Sequence, residues 1–189
     1  RAPRADNRMP ALLDEAARLF GMQGFHGTSI RDIVRSVPML PGSVYYHFAT
    51  KDLLLVAVYA EGVRRISERV RAAIHDKPDA WERLEAACIA HLEAVLEETG
   101  YAQVVIRVRP TDVPAAAAQL VGLRDAYEGL FAELVDALPV GRGVDRRGLR
   151  LMLLGALNWA QTWYRPGRYR PRSIARHFVA LLRAPVAAE

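Results

Sequence analysis

Residues 28–53, TSIRDIVRSVPMLPGSVYYHFATKDL, decide the fold of this chain. They contain two short helical patterns separated by a break that holds two prolines. The second pattern carries small, hydroxylic and aromatic residues where a core stripe would be expected. Two short helices joined by a tight turn, with a polar and aromatic face on the second, are typical of a DNA-reading helix-turn-helix.

The first pattern begins with good helix N-caps, Thr28 and Ser29. Asp32 follows Ser29 by three residues, as in a capping box. Apolar residues then recur at helical spacing, at Ile30, Ile33, Val34 and Val37. The pattern predicts a short amphipathic helix with its charged residues outside.

The second pattern is the candidate recognition helix. Pro38 and Pro41 bracket the break, since neither fits the interior of a continuing helix. Val44 and Phe48 are four residues apart and are expected to point inward. The residues that this leaves outward are Ser43, Tyr45, Tyr46 and His47. Their hydroxyl and imidazole groups can donate to phosphate oxygens, and their rings can lie against base edges or thymine methyl groups. The alternative is that one tyrosine belongs to the core.

This region resembles the N-terminal DNA-binding domain of the TetR family of bacterial repressors. The family pattern combines a Leu-Phe pair, a Gly-aromatic turn, Thr-Ser, a tight turn, Gly-x-Leu-Tyr-x-His-Phe and Lys-Asp/Glu-x-Leu. The matching segments here are Leu19-Phe20, Gly24-Phe25, Thr28-Ser29, residues 42–48 and Lys51-Asp52-Leu53. The resemblance implies an all-α fold. It places a three-helix DNA-binding domain over residues 1–51 and a helical ligand-binding and dimerisation bundle over residues 52–189, joined by a long helix.

The resemblance also implies which residues contact double-stranded operator DNA. It implies a base or phosphate contact from Arg31. The major-groove face is implied to consist of Pro41, Gly42, Ser43 and Tyr46. Phosphate contacts are implied for Tyr45, His47 and Lys51, and for Thr28 or Ser29 at a helix N-terminus.

The turn between the two helices departs from the family pattern. The family usually has Ala-Gly-Val-Ser, whereas this chain has Val37-Pro38-Met39-Leu40. Proline cannot adopt the positive φ of the usual glycine, and Leu40 lacks the usual capping hydroxyl. Pro41 suits the first helical position, so we expect a re-routed turn with the helix start preserved. A helical ligand-binding dimer whose reader is impaired by this turn is the alternative function.

The rest of the chain shows helical apolar patterns, and no segment alternates like a strand. Further helices are predicted over residues 9–21, 51–74, 79–98, 101–108, 113–138, 145–164 and 171–184. Asp79 is the expected N-cap of the third of these, and Gly100 its stop signal. The penultimate helix is apolar on nearly all sides, so it is expected to be buried on more than one. With the last helix it would form the four-helix homodimer interface that the resemblance implies.

The second half is predicted to hold a small apolar effector between its helices, the alternative being an ordinary packed core. The candidate effector-binding residues are Trp81, Cys88, His91, Tyr127, Phe131, Asn158, Trp159, Thr162, Trp163 and Arg165. Nine arginines and one acid lie between Arg142 and Arg176, and positive charge beside tryptophans suits a phosphorylated ligand. Residues 158–167 also resemble members of the family that respond to acyl-coenzyme A thioesters. Another apolar effector, no effector, and arginines that are solvated or pair across a dimer remain open.

Composition limits the remaining classes. The single cysteine, Cys88, excludes an internal disulfide framework and is expected in a reducing, cytoplasmic compartment. No segment reaches the ~18 apolar residues that a membrane span needs. The net charge of +5 is compatible with nucleic acid, and the basic lead-in of Arg1, Arg4 and Arg8 is either a DNA-binding arm or a disordered tail. Without a nucleophile motif, a phosphate-binding glycine loop or a complete metal-ligand set, we expect no catalysis, no metal and no cofactor.

Overall fold

A computed structural model describes residues 8–97, 99–167 and 169–186, with the side chains of residues 184–186 left out. Within these ranges the chain is all-α and has no strand, which confirms the predicted fold class. Its helices are α1 Arg8–Gln23, α2 Ile30–Val34, α3 Pro41–His47, α4 Lys51–Ile74, α5 Ala80–Leu96, α6 Gly100–Arg107, α7 Ala117–Asp136, α8 Arg146–Trp163 and α9 Pro171–Val186. Arg1 and Arg4 of the predicted arm lie outside the described residues.

The helices group into two compact units. Of the described residues, the first takes in 8–64 and 99–124, and the second 65–97, 125–167 and 169–186. Helices α4 and α7 each run from one unit into the other. The domain boundary between residues 51 and 52 stays a prediction.

The start of α2 is the predicted capping box. The side chain of Ser29 accepts from the backbone N–H of Asp32 at 3.2 Å. The carboxylate of Asp32 accepts in return from the backbone N–H of Ser29 at 3.0 Å. Two otherwise unpaired N–H groups are satisfied in this way, so a helix of five residues has a defined beginning.

The turn into α3 takes the re-routed form. No residue of this turn has a positive φ, and the N–H of Met39 donates to the carbonyl of Val37 at 2.7 Å. Val37 is buried and holds the turn against the core. Helix α3 then begins at Pro41, while Leu40 precedes it in extended conformation without a side-chain cap bond.

Gly100 does not end a helix, as the sequence predicted, but begins one. Helix α5 stops at Leu96, and Gly100 lies against α1, where a Cβ atom would be 2.5 Å from the carbonyl carbon of Ala17. The next residue, Tyr101, donates its hydroxyl to the carboxylate of Asp14 at 2.9 Å. Gly100 therefore serves the close packing of α6 on α1.

The second unit packs α5 against α8 and α9. Helix α5 begins with the predicted cap, since the side chain of Asp79 accepts from the backbone N–H of Glu82 at 3.0 Å. The predicted helix over 113–138 begins later, because Val113 precedes a proline and is kept out of the α conformation. Two short 3₁₀ turns, Pro110–Asp112 and Pro114–Ala116, precede α7 instead.

Candidate DNA-reading face and effector-binding bundle

Helix α3 presents an exposed face that is anchored from behind. Val44 is fully buried, whereas Tyr45 is 53% and Tyr46 is 87% exposed. Ser43 and His47 are exposed as well, and the rings of Tyr46 and His47 meet edge to face at 5.3 Å. Both tyrosines are thus outside the core, which decides against the alternative left open by the sequence. The helix offers donors and aromatic rings to a partner.

The exposed charges of α2 lie beside its capping box. Arg31 is exposed, and Arg35 forms a surface ion pair with Asp32 at 3.3 Å. Hydrogen bonds from the side chain and backbone of Ser29, with the nearby Arg35 charge adding to them, lower the pKa of Asp32. The carboxylate is therefore committed to the cap, and the side chain of Arg31 is exposed.

Thr28 and Lys51 hold the frame around α2. The hydroxyl of Thr28 is buried and donates to the carbonyls of Gly24 and Leu19, at 2.9 and 3.3 Å. The ammonium of Lys51 donates to the carbonyls of Phe25 and Thr28, at 2.8 and 2.9 Å, and lies 4.2 Å from the centre of the Phe25 ring. Of the two residues predicted as a phosphate contact at this helix N-terminus, Thr28 is buried and Ser29 is exposed. A phosphate contact from Lys51 stays a prediction, and its bonds to two carbonyls are a role that the sequence did not reveal.

In the second unit, the buried side chain of His91 is the centre of a polar group. Its Nδ1 atom is 2.6 Å from the hydroxyl of Tyr127, and its Nε2 atom is 3.1 Å from the side-chain oxygen of Asn158. Burial lowers the pKa of His91 to about 4, against a smaller opposing effect of the Asn158 bond. The imidazole is therefore neutral near pH 7, with one nitrogen donating and the other accepting.

Aromatic and sulfur side chains surround this polar group. Phe131 is fully buried and meets both His91 and Tyr127 edge to face, at centroid distances of 5.6 and 5.7 Å. Burial also raises the pKa values of Cys88 and Tyr127, which keeps the thiol and the phenol protonated. The structure thus brings five of the predicted effector residues together, namely Cys88, His91, Tyr127, Phe131 and Asn158. Trp81 is also buried, under the guanidinium of Arg183 at 5.8 Å.

The other predicted effector residues lie on the surface of α8 and just after it. Trp159 is 67% and Trp163 is 45% exposed, and Trp163 meets Phe178 edge to face at 6.4 Å. The hydroxyl of Thr162 donates to the carbonyl of Trp159, and Arg165 donates to the carbonyls of Thr162 and Tyr164. The predicted set therefore divides into a cluster around the buried His91, to which the exposed Asn158 belongs, and an exposed row.

Several arginines of the basic segment have partners within the chain. Arg176 pairs with Glu85 at 3.0 Å, and Arg172 lies 3.7 Å from Glu93. Arg146 donates to backbone carbonyls at the end of α7. The sequence suggested a segment of largely unpaired positive charge; the acids that pair with it lie on α5, distant in sequence, so local counting could not find them.

An apolar face of α8 and α9 is open. Leu151, Met152 and Leu181 are each about half exposed or more, at 49, 58 and 57%. Met152 and Leu181 border a groove of about 530 Å³. The groove is lined chiefly by Leu149, Met152, Leu153, Phe178, Leu181 and Leu182. Leu154, Leu157 and Ala160 of α8 are buried and do not line the groove, so the helix has both exposed and buried apolar residues, as its apolar sequence indicated.

No helix within the described ranges has both the length and the apolar character to cross a membrane.

Known proteins match this chain over nearly all of the described residues. Residues 12–58 match the model of bacterial regulatory proteins of the tetR family, and residues 77–186 match that of the tetracyclin repressor-like C-terminal domain. The HTH-type transcriptional repressor KstR2 of Mycobacterium tuberculosis is 29% identical over 173 residues, which cover 88% of this chain and 86% of KstR2.

Two solved structures are similar over the same span. The superantigen PfiT superposes with a TM-score of 0.80 at 29% identity, covering 93% of this chain and 96% of PfiT. AibR, solved with isovaleryl coenzyme A and operator DNA, superposes with a TM-score of 0.78 at 24% identity, covering 93% of this chain and 97% of AibR. The C-terminal family model covers more than half of the chain, and the N-terminal model covers the capped α2 and the exposed α3 described above. This chain therefore belongs to the TetR family of bacterial transcriptional regulators, with a DNA-binding helix-turn-helix at its N-terminus.

Proposed function

We propose that this chain is a homodimeric repressor that binds a palindromic operator through α3 and is released from DNA by a small apolar effector. The proposed DNA binding rests mainly on the side chain of Tyr46. It is 87% exposed on a helix that the buried Val44 fixes to the core. A large exposed aromatic side chain on a rigid helix points to a partner surface. Ser43 and His47 beside it add hydrogen-bond donors for phosphates or base edges.

The geometry of the turn favours a working reader over an impaired one. Helix α3 begins at Pro41 even though Leu40 supplies no cap bond. Val37 is 6% exposed, and the bonds of Thr28 and Lys51 fix the loop before α2. In this turn, the packing of Val37 and the helix start at Pro41 therefore take over from the glycine and the capping hydroxyl that the family usually has. The recognition helix keeps its place.

The open face of α8 and α9 supports a homodimer. Leu151, Met152, Trp159 and Trp163 recur at helical spacing on α8, and all four are between 45 and 67% exposed. Gly155 lies within the same row and is exposed, so a second helix can approach closely. Soluble monomers rarely leave an apolar patch of this kind open. Two copies also provide the two readers that the half-sites of a palindrome need.

The effector is proposed to be apolar, with an acyl-coenzyme A thioester as the first candidate. AibR, whose fold this chain shares, is known in complex with isovaleryl coenzyme A and operator DNA. The cluster around His91 supplies a few polar atoms among aromatic rings, the usual composition of a ligand site. An effector that binds one conformation better than another shifts the population toward it. Helices α4 and α7 are two of the covalent connections between the units, and we propose that the change reaches the reader through them.

DNA selection tests the proposal directly. The purified chain is incubated with random-sequence duplexes, and bound duplexes are amplified and sequenced over several rounds. We expect a palindromic consensus bound by a dimer, as judged from the mass of the complex. Thioesters, their free acids and coenzyme A alone are then added to the complex. Release by a thioester alone would support a coenzyme A effector.

The possible failures of this experiment are distinct. No enriched sequence would reject the DNA reader. An enriched sequence without inverted symmetry, bound by one copy, would reject the dimer. A thermal midpoint unmoved by every thioester would remove coenzyme A, because a ligand at a hundred times its dissociation constant adds roughly 2.7 kcal/mol of stability.

A further inference from the structure

The residue before the recognition helix is an exposed leucine. Leu40 is 75% exposed, the largest exposed fraction among the exposed leucine and methionine side chains of the described residues. It occupies the N-cap position of α3 and makes no cap bond. Pro38, two residues earlier, is exposed too. The part of the turn that adjoins the reader is therefore apolar.

The position of Leu40 brings it to the DNA-reading face. It directly precedes Pro41, Gly42 and Ser43, and residues at the N-terminal end of a recognition helix are those that reach base edges. The side chain of Leu40 is itself 75% exposed, so most of its surface is accessible to a base in the major groove.

The chemistry of the major groove limits what a leucine can read there. Purine edges and cytosine present hydrogen-bond acceptors and donors, which a leucine side chain would cover without replacing their bonds to water. Thymine alone presents a methyl group at C5. An apolar side chain therefore favours thymine over the other three bases.

We infer that Leu40 is a specificity-determining residue that contacts the C5 methyl group of one thymine in each half-site. The inference rests on the proposed DNA-reading function. Tyr46 is exposed on the same short helix and can also contact a methyl group, so the experiment must assign each methyl group to a residue.

Methyl deletion on the DNA combined with side-chain truncation on the protein makes this assignment. Each thymine of the selected operator is replaced in turn by deoxyuridine, symmetrically in both half-sites, which removes only the methyl group. Binding is measured for the wild type, Leu40→Ala, Leu40→Ser and Met22→Ala. Met22 is 69% exposed on α1 and serves as the matched control. Unfolding midpoints of all four proteins verify that they are folded.

We expect one thymine position at which the wild type and Met22→Ala lose about 14-fold in affinity, about fourfold for each buried methyl group. At that position Leu40→Ala and Leu40→Ser should show no loss on deoxyuridine substitution. Two results overturn the inference alone: no sensitive position, or leucine variants that lose as much as the wild type at every sensitive position. Failure to select any DNA sequence would overturn the proposed function together with it.

Discussion

The Nδ1 atom of His91 lies 2.6 Å from the hydroxyl of Tyr127, and the two rings stack with centroids 5.7 Å apart. Since the buried imidazole is neutral, Tyr127 donates to Nδ1, and the proton on Nε2 is donated to Asn158. Because the side-chain oxygen of Asn158 can only accept, His91 is the tautomer that carries its proton on Nε2.

Removing the Tyr127 hydroxyl should destabilise the fold. Tyr127→Phe leaves a buried ring nitrogen without its donor, at a cost of about 1–3 kcal/mol. Urea unfolding measures the difference. Tyr45→Phe, at an exposed position, is the control and should change stability by less than about 0.5 kcal/mol. Equal stability of the two variants would mean that the Tyr127 bond contributes nothing.

The stability of the chain should depend on pH through His91. Its pKa is lowered from 6.5 to about 4 by burial, so between these values the unfolded state binds a proton that the folded state does not. Stability is therefore complete above pH 6.5 and falls as the pH falls toward 4, by about 3 kcal/mol in all. His91→Gln should remove this part of the slope. His75→Gln, at a side chain that is 83% exposed, should retain it. An unchanged slope in His91→Gln would contradict the assignment.

The junction of α1 and α6 should tolerate no side chain at Gly100. A Cβ atom there would lie 2.5–2.7 Å from backbone atoms of Ala17 and Arg18, which cannot move aside as a flexible side chain can. We expect Gly100→Ala to lower the free energy of unfolding by about 1–3 kcal/mol or more. Gly122→Ala provides the comparison, because nothing lies within 4 Å of its Cβ position within α7. It should be neutral or stabilising by up to about 1 kcal/mol. Similar effects of both changes would contradict a close packing role.

Local signals in the sequence were sufficient for the helices and their caps. The Ser29–Asp32 box, the Asp79 cap and the Pro41 start all depend on residues within four positions of one another, and all are present. Gly100 was misread because a glycine between two helices is also the usual stop signal. Only the approach of α1, distant in sequence, shows its role in packing.

The site residues also divide into those that local sequence predicts and those that depend on contacts distant in sequence. The outward face of α3 follows from helical spacing around Val44, and the structure has it. The two carbonyl bonds of Lys51 depend on tertiary contacts across 23–26 residues, and no local pattern encodes them. The bonds of Thr28 reach back only four and nine residues, to Gly24 and Leu19. The partners of Arg172 and Arg176 lie on another helix for the same reason.

Arg146 should be structural, although the sequence placed it in a basic ligand-binding segment. Its guanidinium donates to the carbonyls of Val135 and Leu138, at 2.7 and 3.2 Å, at the end of α7. These carbonyls also accept from the backbone N–H groups of Leu138 and Val140, so the guanidinium adds a charged donor to the turn that follows α7. Arg146→Ala should therefore cost about 1–3 kcal/mol of stability in urea unfolding. The adjacent Arg147 is exposed, and Arg147→Ala should have little effect. If both variants unfold at the same urea concentration as the wild type, the carbonyl bonds are not stabilising.

Truncation of Tyr46 tests the central claim most directly. The affinity of the wild type, Tyr46→Ala and Met22→Ala is measured for the selected operator and for a scrambled duplex. Because Tyr46 is 87% exposed, its truncation should leave the unfolding midpoint unchanged. We expect Tyr46→Ala to bind the operator about 30-fold more weakly, from about 1 kcal/mol in each half-site, while Met22→Ala binds like the wild type. Operator binding by Tyr46→Ala as tight as that of the wild type would contradict a reader built on α3.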